Sequence, residues 1–186
     1  MIKEPEYRSV DFSRTTITEL MIPSYANFGG KIHGGIILSL MDKVAYACSA
    51  RHAGGYCVTA SINATDFLAP VNVGDLVSLH ASVNHVGKSS MVIGIRVESI
   101  NVTTNEKIHT NTSYFTMIAM TEDRKPRVVP GLILENRKDV RRFLEAIRRK
   151  ELIKQYKSEF SETLSDEEIQ GNLHRLEEER CMVIDF

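Results

Sequence analysis

Four residues in the first quarter of the sequence have side chains or spacing suited to chemistry: Asn27, Gly34, Gly35 and Asp42. Asp42 lies in a mostly apolar segment, and a carboxylate can activate a water or attack directly. If that segment is a helix, its first amides have no partner inside the helix and favour negative charge. Two glycines at that point leave these amides open to a ligand. The group is therefore suited to producing a nucleophile and stabilising an oxyanion.

Each of these residues also has an interpretation without chemistry. Asp42 shares one side of a helical wheel with Ser39, Lys43, Tyr46 and Ser49. That side can be a solvated stripe, or it can face a cleft or a partner subunit, and periodicity does not decide between them. An asparagine in a glycine-rich turn is commonly a turn residue, and paired glycines also allow close packing against a strand.

The apolar segment around Asp42 is predicted to be a central helix from Ile36 to Ala53. Apolar residues recur around most of its circumference, which is typical of a helix buried in the middle of a domain. Glycine, asparagine and proline precede it, and Gly54 and Gly55 follow it, so both ends are signalled.

Five segments alternate or are rich in residues that favour strands, and most are joined by short turns. They cover residues 12–21, 56–65, 77–84, 91–97 and 108–120. Short connections favour antiparallel pairing, so the sequence predicts an α+β domain in which one curved sheet wraps one long helix. The open edges of such a sheet predict a homodimer with a continuous sheet.

The character of the chain changes after Pro130, which predicts a domain of residues 1–130 and a helical extension of residues 131–186. Residues 136–160 have apolar residues at helical spacing and a basic face. Ser165 and Glu168 form a capping-box pattern that predicts a second, acidic helix over residues 166–180. The simplest interpretation of the extension is a solvated appendage.

Composition excludes several classes of function. The 186 residues carry a formal net charge of −1, which gives no indication of nucleic-acid or membrane binding. No apolar run approaches the roughly 20 residues that span a bilayer, and residues 1–11 lack the apolar core of a signal peptide, so a cytoplasmic location is expected. Three scattered cysteines form neither a disulfide framework nor a zinc site, and no metal is expected. The serine-hydrolase elbow and the P-loop motif are absent.

Many short stretches, in the right order, resemble the hotdog-fold acyl-CoA thioesterases, in particular the branch that includes the brain-type cytosolic acyl-CoA hydrolase. The resemblance is carried by Asn27, Gly30, His33-Gly34-Gly35 and Met41-Asp42, then by residues 50–52, 58–61, 67, 88–91, 113–116 and 128–130. It implies the hotdog fold and hydrolysis of acyl-CoA to free fatty acid and CoA. Coenzyme A would enter only as part of the substrate and product, with no further cofactor.

The resemblance also implies roles for single residues. Asn27 and Asp42 would form the catalytic pair, contributed by different subunits of a dimer, and a trimer of such dimers is the expected assembly. Asp42 would act as general base or nucleophile, and Asn27 would orient the water or the thioester. The Gly35 amide, beside Gly34, would polarise the thioester carbonyl.

Contacts with coenzyme A are predicted for Lys88, Ser89, Ser90 and Arg51. The first three form a turn that offers an ammonium group, two hydroxyls and backbone amides to a phosphate, whereas Arg51 near the helix end also suits the helix dipole. Thr59 is a weaker candidate, for supporting the catalytic water. His33, beside the glycines, keeps open a role in the chemistry of the hotdog dehydratases.

Two other functions fit the same residues. One is a non-catalytic acyl-CoA-binding sensor, but the presence of both Asn27 and Asp42 favours an enzyme, because a binding protein does not need the carboxylate. The other is a hydratase or dehydratase that acts on an enoyl or hydroxyacyl thioester. The length of the acyl chain cannot be deduced from the pattern.

Overall fold

The computed structural model describes residues 6–160, 163–176, 179–182 and 184. The chain divides into two units, Met1–Ile147 and Arg148–Phe186. Residues 131–147 therefore group with the first unit, and the domain boundary at residue 130 stays a prediction. The elements in chain order are β1 (Tyr7–Ser9), α1 (Val10–Ser13), β2 (Thr15–Leu20), a 3-10 turn (Pro23–Tyr25), α2 (Gly34–Ala53), β3 (Cys57–Phe67), β4 (Asp75–Val86), β5 (Ser90–Asn101), β6 (Lys107–Ala119), β7 (Gly131–Ile133), α3 (Arg137–Glu159), α4 (Asp166–Asn172) and a second 3-10 turn (Leu173–Leu176).

The central helix, α2, has the position and the end that the sequence predicts. It begins at Gly34, two residues before the predicted start, and stops where Gly54 adopts the left-handed conformation with a φ of 68°. The Gly54 amide returns to the carbonyl of Ala50 at 2.8 Å, as expected for a glycine that ends a helix.

Two arginines from distant segments satisfy the last carbonyls of α2. Arg8 donates to the carbonyl oxygens of Arg51 and His52 at 3.0 and 2.9 Å. Arg127 donates to the carbonyl of Ala53 at 2.8 Å. Cations at a helix C-terminus also interact favourably with the helix dipole. The end of α2 is therefore tied to the segments that precede and follow the large sheet.

Five strands form one antiparallel sheet in the order β2-β4-β5-β6-β3, and α2 packs against it, which confirms the predicted α+β hotdog architecture. The core lies between α2 and the inner face of the sheet, and burying each large apolar side chain contributes about 1.5–3 kcal/mol. Its largest fully buried members include Ile37, Met41, Val44, Leu79, Ile93, Ile95, Phe115 and Met117.

The first predicted strand starts later than the sequence indicates. Residues 10–13 form the short helix α1, because the Ser9 hydroxyl caps it by accepting from the Phe12 amide at 3.2 Å. The strand β2 then runs only from Thr15 to Leu20. A parallel two-stranded pair of β1 and β7 was also not predicted, because each of its strands has three residues.

The edge strand β3 leaves its apolar residues exposed. The register shifts between Thr59, which pairs with Met117, and Ser61, which pairs with Thr116, so Ala60 forms a bulge. Ile62 beyond the bulge is 49% exposed. The alternating apolar residues of β3 therefore do not enter the core of the single chain.

The outer face of the sheet is polar, and the first turns of α3 pack on it. The ring of Phe143 lies 4.7 Å from that of His85, and Arg142 donates to the Ser82 hydroxyl at 3.3 Å.

The second unit contains the end of α3, the helix α4 and the second 3-10 turn, with described residues outside these helices at 160, 163–165, 179–182 and 184. The predicted capping box is present, since the Ser165 hydroxyl accepts from the Glu168 amide and the Glu168 carboxylate accepts from the Ser165 amide. The helix predicted to reach residue 180 is shorter, because α4 ends at Asn172, after Gly171, and gives way to the 3-10 turn. Residues 177 and 178 of that prediction lie outside the described residues. Across the ranges that the structure describes, no helix is both long and apolar enough to cross a membrane.

Candidate active site

Asp42 lies at the middle of α2, on its exposed side, and is bound by a hydroxyl of β3. The Thr59 hydroxyl donates to Oδ1 of Asp42 at 2.6 Å. Oδ2 of Asp42 makes no hydrogen bond to any residue that the structure describes. Of the predicted polar stripe, Ser39, Lys43 and Tyr46 are exposed, whereas Ser49 is buried. The carboxylate is thus held by one oxygen and open at the other, which suits a group that must bind a water.

The side chain of His33 caps the N-terminus of α2. Its Nδ1 accepts a hydrogen bond from the Gly35 amide at 2.9 Å. A Cβ at position 35 would lie 2.9 Å from this nitrogen, and a Cβ at Gly34 would lie 3.2 Å from the ring of Phe67. A side chain at either position would therefore require the neighbouring ring, that of Phe67 or of His33, to shift. The Gly35 amide, which the sequence assigns to the thioester carbonyl, already has an acceptor in this structure.

Asn27 organises the turn that precedes α2. Its Oδ1 accepts from the amides of Gly29 at 2.9 Å and Lys31 at 3.2 Å, and Gly30 has a φ of 75°. Asn27 is therefore a turn residue, as the simpler interpretation proposes. Because its carbonyl oxygen is used within the turn, the NH2 group of its amide remains to contact a ligand.

A depression of about 690 Å³ lies beside this turn and the start of α2. Its lining includes Asn27, Phe28, His33 and Gly34. Phe28 is fully exposed, so its ring has no packing partner within the described chain. The sequence analysis did not identify this aromatic residue, although a phenylalanine inside a glycine-rich turn is a signal that could have been used.

The turn that is predicted to contact coenzyme A, at Lys88, Ser89 and Ser90, connects β4 to β5 and lies at the end of the sheet away from the N-terminus of α2. The carbonyls of Lys88 and Ser89 accept from the amides of Val129 at 3.0 Å and Ala119 at 2.9 Å. The Lys88 side chain is exposed, while Ser89 and Ser90 are half-buried. The turn is thus held by its backbone, and the side chains of its three predicted residues remain to contact a phosphate.

Arg51 is near the C-terminus of α2, where it donates to the carbonyl of Arg14 at 3.3 Å. It is about 24 Å along the helix from Gly35, at a rise of about 1.5 Å per residue. The Lys88 turn is linked to this same end, because Val129 pairs with Lys88 and the next residue, Pro130, accepts from His52 at 3.1 Å.

The predicted site residues therefore form three groups along α2. Asn27, His33, Gly34 and Gly35 lie at its N-terminus, Asp42 and Thr59 at its middle, and Arg51 with the Lys88 turn at its C-terminal end. Two helical turns, about 10 Å, separate Gly35 from Asp42. No hydrogen bond joins Asn27 to Asp42 in the described part of the chain.

The buried cysteines do not belong to the candidate site. Burial raises the pKa of Cys48 to about 12 and also raises the pKa of Cys57. The thiolate is the nucleophilic form, so both side chains are unreactive core residues. Within the described ranges, no group of three or more histidine, cysteine, aspartate or glutamate side chains is arranged to hold a metal ion.

Comparison with known proteins identifies the family. Residues 29–104 match the Thioesterase superfamily. The chain is 40% identical over 144 residues to protein VdlD of Helicobacter pylori, covering 77% of this chain and 82% of that protein. It is 31% identical over 148 residues to the uncharacterized acyl-CoA thioester hydrolase YkhA of Bacillus subtilis, covering 80% of this chain and 86% of that protein. It is 30% identical over 146 residues to the rat cytosolic acyl coenzyme A thioester hydrolase, covering 77% of this chain but 38% of that protein.

Solved structures give the same result. An apo-hexameric acyl-CoA thioesterase superposes with a TM-score of 0.79 at 36% identity, covering 81% of this chain and 97% of that one. The acyl-CoA hydrolase of Staphylococcus aureus, in complex with butyryl coenzyme A, coenzyme A and coenzyme A disulfide, gives 0.76 at 29% identity, covering 82% and 93%. That enzyme has also been solved with an aspartate, a threonine or an asparagine replaced by alanine. With its sheet wrapped around α2 and its polar groups placed along that helix, the chain belongs to the hotdog-fold acyl-CoA thioester hydrolases of the Thioesterase superfamily.

Proposed function

We propose that this protein hydrolyses acyl-CoA thioesters to free fatty acid and CoA, with Asp42 and Asn27 as the catalytic pair. The observation that carries the proposal is the bond between Thr59 and Asp42, which holds a carboxylate at the exposed middle of α2. In the S. aureus enzyme the replaced asparagine and aspartate are 15 positions apart, and the aspartate and threonine are 17 apart, as are Asn27, Asp42 and Thr59 here.

The reaction needs a water, a base and a place for the developing oxyanion. Asp42 takes a proton from water as the water oxygen attacks the thioester carbon, and Asn27 orients the water or the thioester through its NH2 group. In this proposal the carbonyl oxygen is held at the N-terminus of α2, beside Gly34, and replaces Nδ1 of His33 as the acceptor of the Gly35 amide. Collapse of the tetrahedral intermediate breaks the C–S bond, and the proton on Asp42 passes to the CoA sulfur. In the alternative route Asp42 attacks directly as a nucleophile, and water then hydrolyses the resulting anhydride.

The separation of the three groups along α2 supports a site shared between subunits. The exposed edge of β3 and its exposed apolar residues suit antiparallel pairing with a second copy. In a two-fold dimer the N-terminal end of one α2 can approach the Asp42 of the other. We therefore propose a dimer with two shared sites, and a trimer of dimers as the full assembly.

The coenzyme A half of the substrate is assigned to the Lys88 turn and to Arg51. The ammonium group of Lys88 and the hydroxyls of Ser89 and Ser90 supply charge and donors for phosphate oxygens. Arg51 contributes a second cation from the end of α2. In this proposal coenzyme A is substrate and product, and the protein acts in the cytoplasm.

The test is release of CoA thiol from acyl-CoAs of increasing chain length, with wild type beside Asp42→Asn. Release by wild type alone is the expected result, with acyl-CoA still bound by the variant. Equal release by both proteins would contradict the assignment of Asp42. Binding without release by either would indicate a sensor, and water addition or loss without CoA release would indicate a hydratase or dehydratase.

A further inference from the structure

A cleft on the outer face of the sheet, opposite α2, is strongly basic. It has a volume of about 560 Å³ and lies between β4, β5, β6 and the first turns of α3. Small-molecule sites commonly have volumes of about 300–1,000 Å³. Six cationic side chains and two carboxylates line the cleft, an excess of four positive charges in a chain whose net charge is −1. The cations are Arg14, Arg96, Lys107, Lys138, Arg141 and Arg142.

Four of these six cations already have a carboxylate partner, namely Arg14, Arg96, Lys107 and Arg141. Hydrogen bonds from Arg96 at 2.9 Å and Lys107 at 3.0 Å lower the pKa of Glu98 to about 2, so this carboxylate stays ionised and neutralises one of the two charges. Lys138 and Arg142 form no ion pair within the ranges that the structure describes. Their charges are therefore left for an anion.

The guanidinium of Arg142 is half-buried, which makes an unpaired charge costly. Its Nη1 donates to the Ser82 hydroxyl at 3.3 Å. The buried carboxylate of Asp139, one turn earlier on α3, does not line the cleft and accepts from the Asn136 amide at 2.8 Å. A guanidinium has five N–H donors in a planar fork that fits the oxygens of a phosphate. Arg142 thus has donors as well as charge available in the cleft.

The floor of the cleft contains a buried amide with a free donor. Asn84 is 5% exposed, and its Oδ1 accepts from the Ser82 hydroxyl at 3.1 Å. The NH2 group of Asn84 makes no hydrogen bond to any residue that the structure describes. Buried polar groups are nearly always hydrogen-bonded. A free NH2 group in the lining of a basic cleft therefore indicates that an acceptor binds there.

Gly94 makes room for this amide. It lies opposite Ser82 on β5, and a Cβ at this position would overlap the side-chain amide of Asn84. Glycine inside a strand weakens the strand and often marks a place where a ligand or another group approaches closely. The fold thus tolerates a glycine in a central strand, and the Asn84 amide lies in the cleft as a result.

We propose that this outer cleft binds a diphosphate group, with the NH2 group of Asn84 and the guanidinium of Arg142 donating to phosphate oxygens and Lys138 supplying a further charge. A terminal diphosphate carries about three negative charges near neutral pH, which the excess positive charge of the cleft balances. The site does not depend on hydrolysis of acyl-CoA, and none of Arg51, Lys88, Ser89 and Ser90 lines it. Inorganic pyrophosphate, nucleoside diphosphates and coenzyme A all contain this group.

The first test measures binding of inorganic pyrophosphate to the full chain by isothermal titration calorimetry. Asn84→Asp keeps the acceptor for Ser82 and replaces the donor by a negative oxygen, and Arg142→Gln removes the guanidinium. Each should weaken binding by about 10-fold or more, the effect of losing a hydrogen bond to a charged group. Asn172→Asp and Arg148→Gln make the same changes of charge outside the cleft and should keep wild-type affinity.

Lys138→Gln, at an exposed position, should weaken pyrophosphate binding several-fold and leave the thermal midpoint unchanged. The result therefore does not depend on the two less exposed substitutions, whose thermal midpoints are measured alongside. Wild-type affinity in all three cleft variants would overturn the proposal.

The second test compares ADP and coenzyme A with pyrophosphate to identify the source of the diphosphate. ADP binding that is lost in Asn84→Asp would support a nucleotide, and a second coenzyme A site per chain that is lost in the same variant would support coenzyme A. No saturable binding of any of the three to wild type at millimolar concentration would overturn the proposal. If Arg142→Gln then also dissociated the native assembly, the cleft would be an interface between copies of the chain.

Discussion

The hydroxyl of Thr59 lies 2.6 Å from Oδ1 of Asp42 and joins the edge strand β3 to the exposed middle of α2. The bulge at Ala60 follows at once, so Thr59 is the last residue of β3 before the register of its pairing with β6 shifts. Bulges commonly re-aim a side chain next to an active site. The bond fixes one carboxylate oxygen and leaves the other to bind water.

Replacing Thr59 by valine should lower kcat by about 10- to 100-fold, the effect expected for loss of a hydrogen bond to a charged group. Valine keeps the branched shape and removes the donor. Thr59→Ser keeps the hydroxyl and is the matched control, for which turnover within a few-fold of wild type is expected. The measurement is steady-state CoA release with both variants at equal concentration. Wild-type turnover in Thr59→Val, with a loss in Thr59→Ser, would mean that the methyl group, and not the hydroxyl, matters.

The subunit origin of Asn27 and Asp42 can be tested by mixing two inactive proteins. In a shared site, one subunit with Asn27→Ala and one with Asp42→Asn combine to give one intact site and one doubly damaged site. Random assembly at equal amounts makes half of the dimers mixed, so co-expression should restore about one quarter of wild-type activity.

Each homogeneous variant, assayed alone, is the control for this experiment and should be close to inactive. A mixture that stays inactive, although mass spectrometry detects mixed assemblies, would mean that both residues of a site come from one chain.

How far the sequence predicts this fold depends on whether the signal is local. The C-terminal end of α2 could be predicted, because Gly54 is a local helix stop and the apolar pattern before it is continuous. The same holds for the capping box at Ser165. The start of β2 could not be predicted, because the Thr and Ile residues after Phe12 favour a strand. Only the cap at Ser9 indicates the short helix α1.

The candidate site was predicted through resemblance more than through pattern. Nothing local distinguishes Asp42 from a solvated helical carboxylate, and its bond to Thr59 depends on strand pairing and on the bulge at Ala60. The contact between His33 and Gly35 was also not foreseen, because histidine is an uncommon helix cap. Interactions between side chains brought together by the fold are the part that sequence patterns do not encode.

The chain's own thiols should differ strongly in reactivity. Cys48 and Cys57 are buried, with pKa values raised by burial, to about 12 for Cys48, whereas Cys181 is exposed. Ellman's reagent should therefore label one thiol per chain quickly in native protein and three in denaturant. Cys181→Ser is the control and should abolish the fast phase while leaving turnover unchanged. Fast labelling of the Cys181→Ser protein would show that a buried thiol is accessible after all.

His52 should make stability fall on mild acidification. The side chain is fully buried, its Nε2 donates to the Pro130 carbonyl at 3.1 Å, and Nδ1 has no partner in the described part of the chain. Burial lowers the pKa of His52, the nearby Arg8 charge adds to this, and the Pro130 bond opposes it. The imidazole of the unfolded chain, with an ordinary pKa of about 6.5, therefore binds the proton at a higher pH than that of the folded chain. As a result, the free energy of unfolding has its highest value above about pH 6.5 and decreases as the pH falls below it.

Urea denaturation midpoints measured between about pH 7.5 and pH 5 give the test. His52→Gln retains an N–H donor for Pro130 and does not titrate, so its midpoint should depend less steeply on pH than that of wild type. His174→Gln, at an exposed position, should follow the wild-type curve. Parallel curves for wild type and His52→Gln would mean that His52 is equally protonated in the folded and unfolded chains, and that the acid sensitivity comes from other groups.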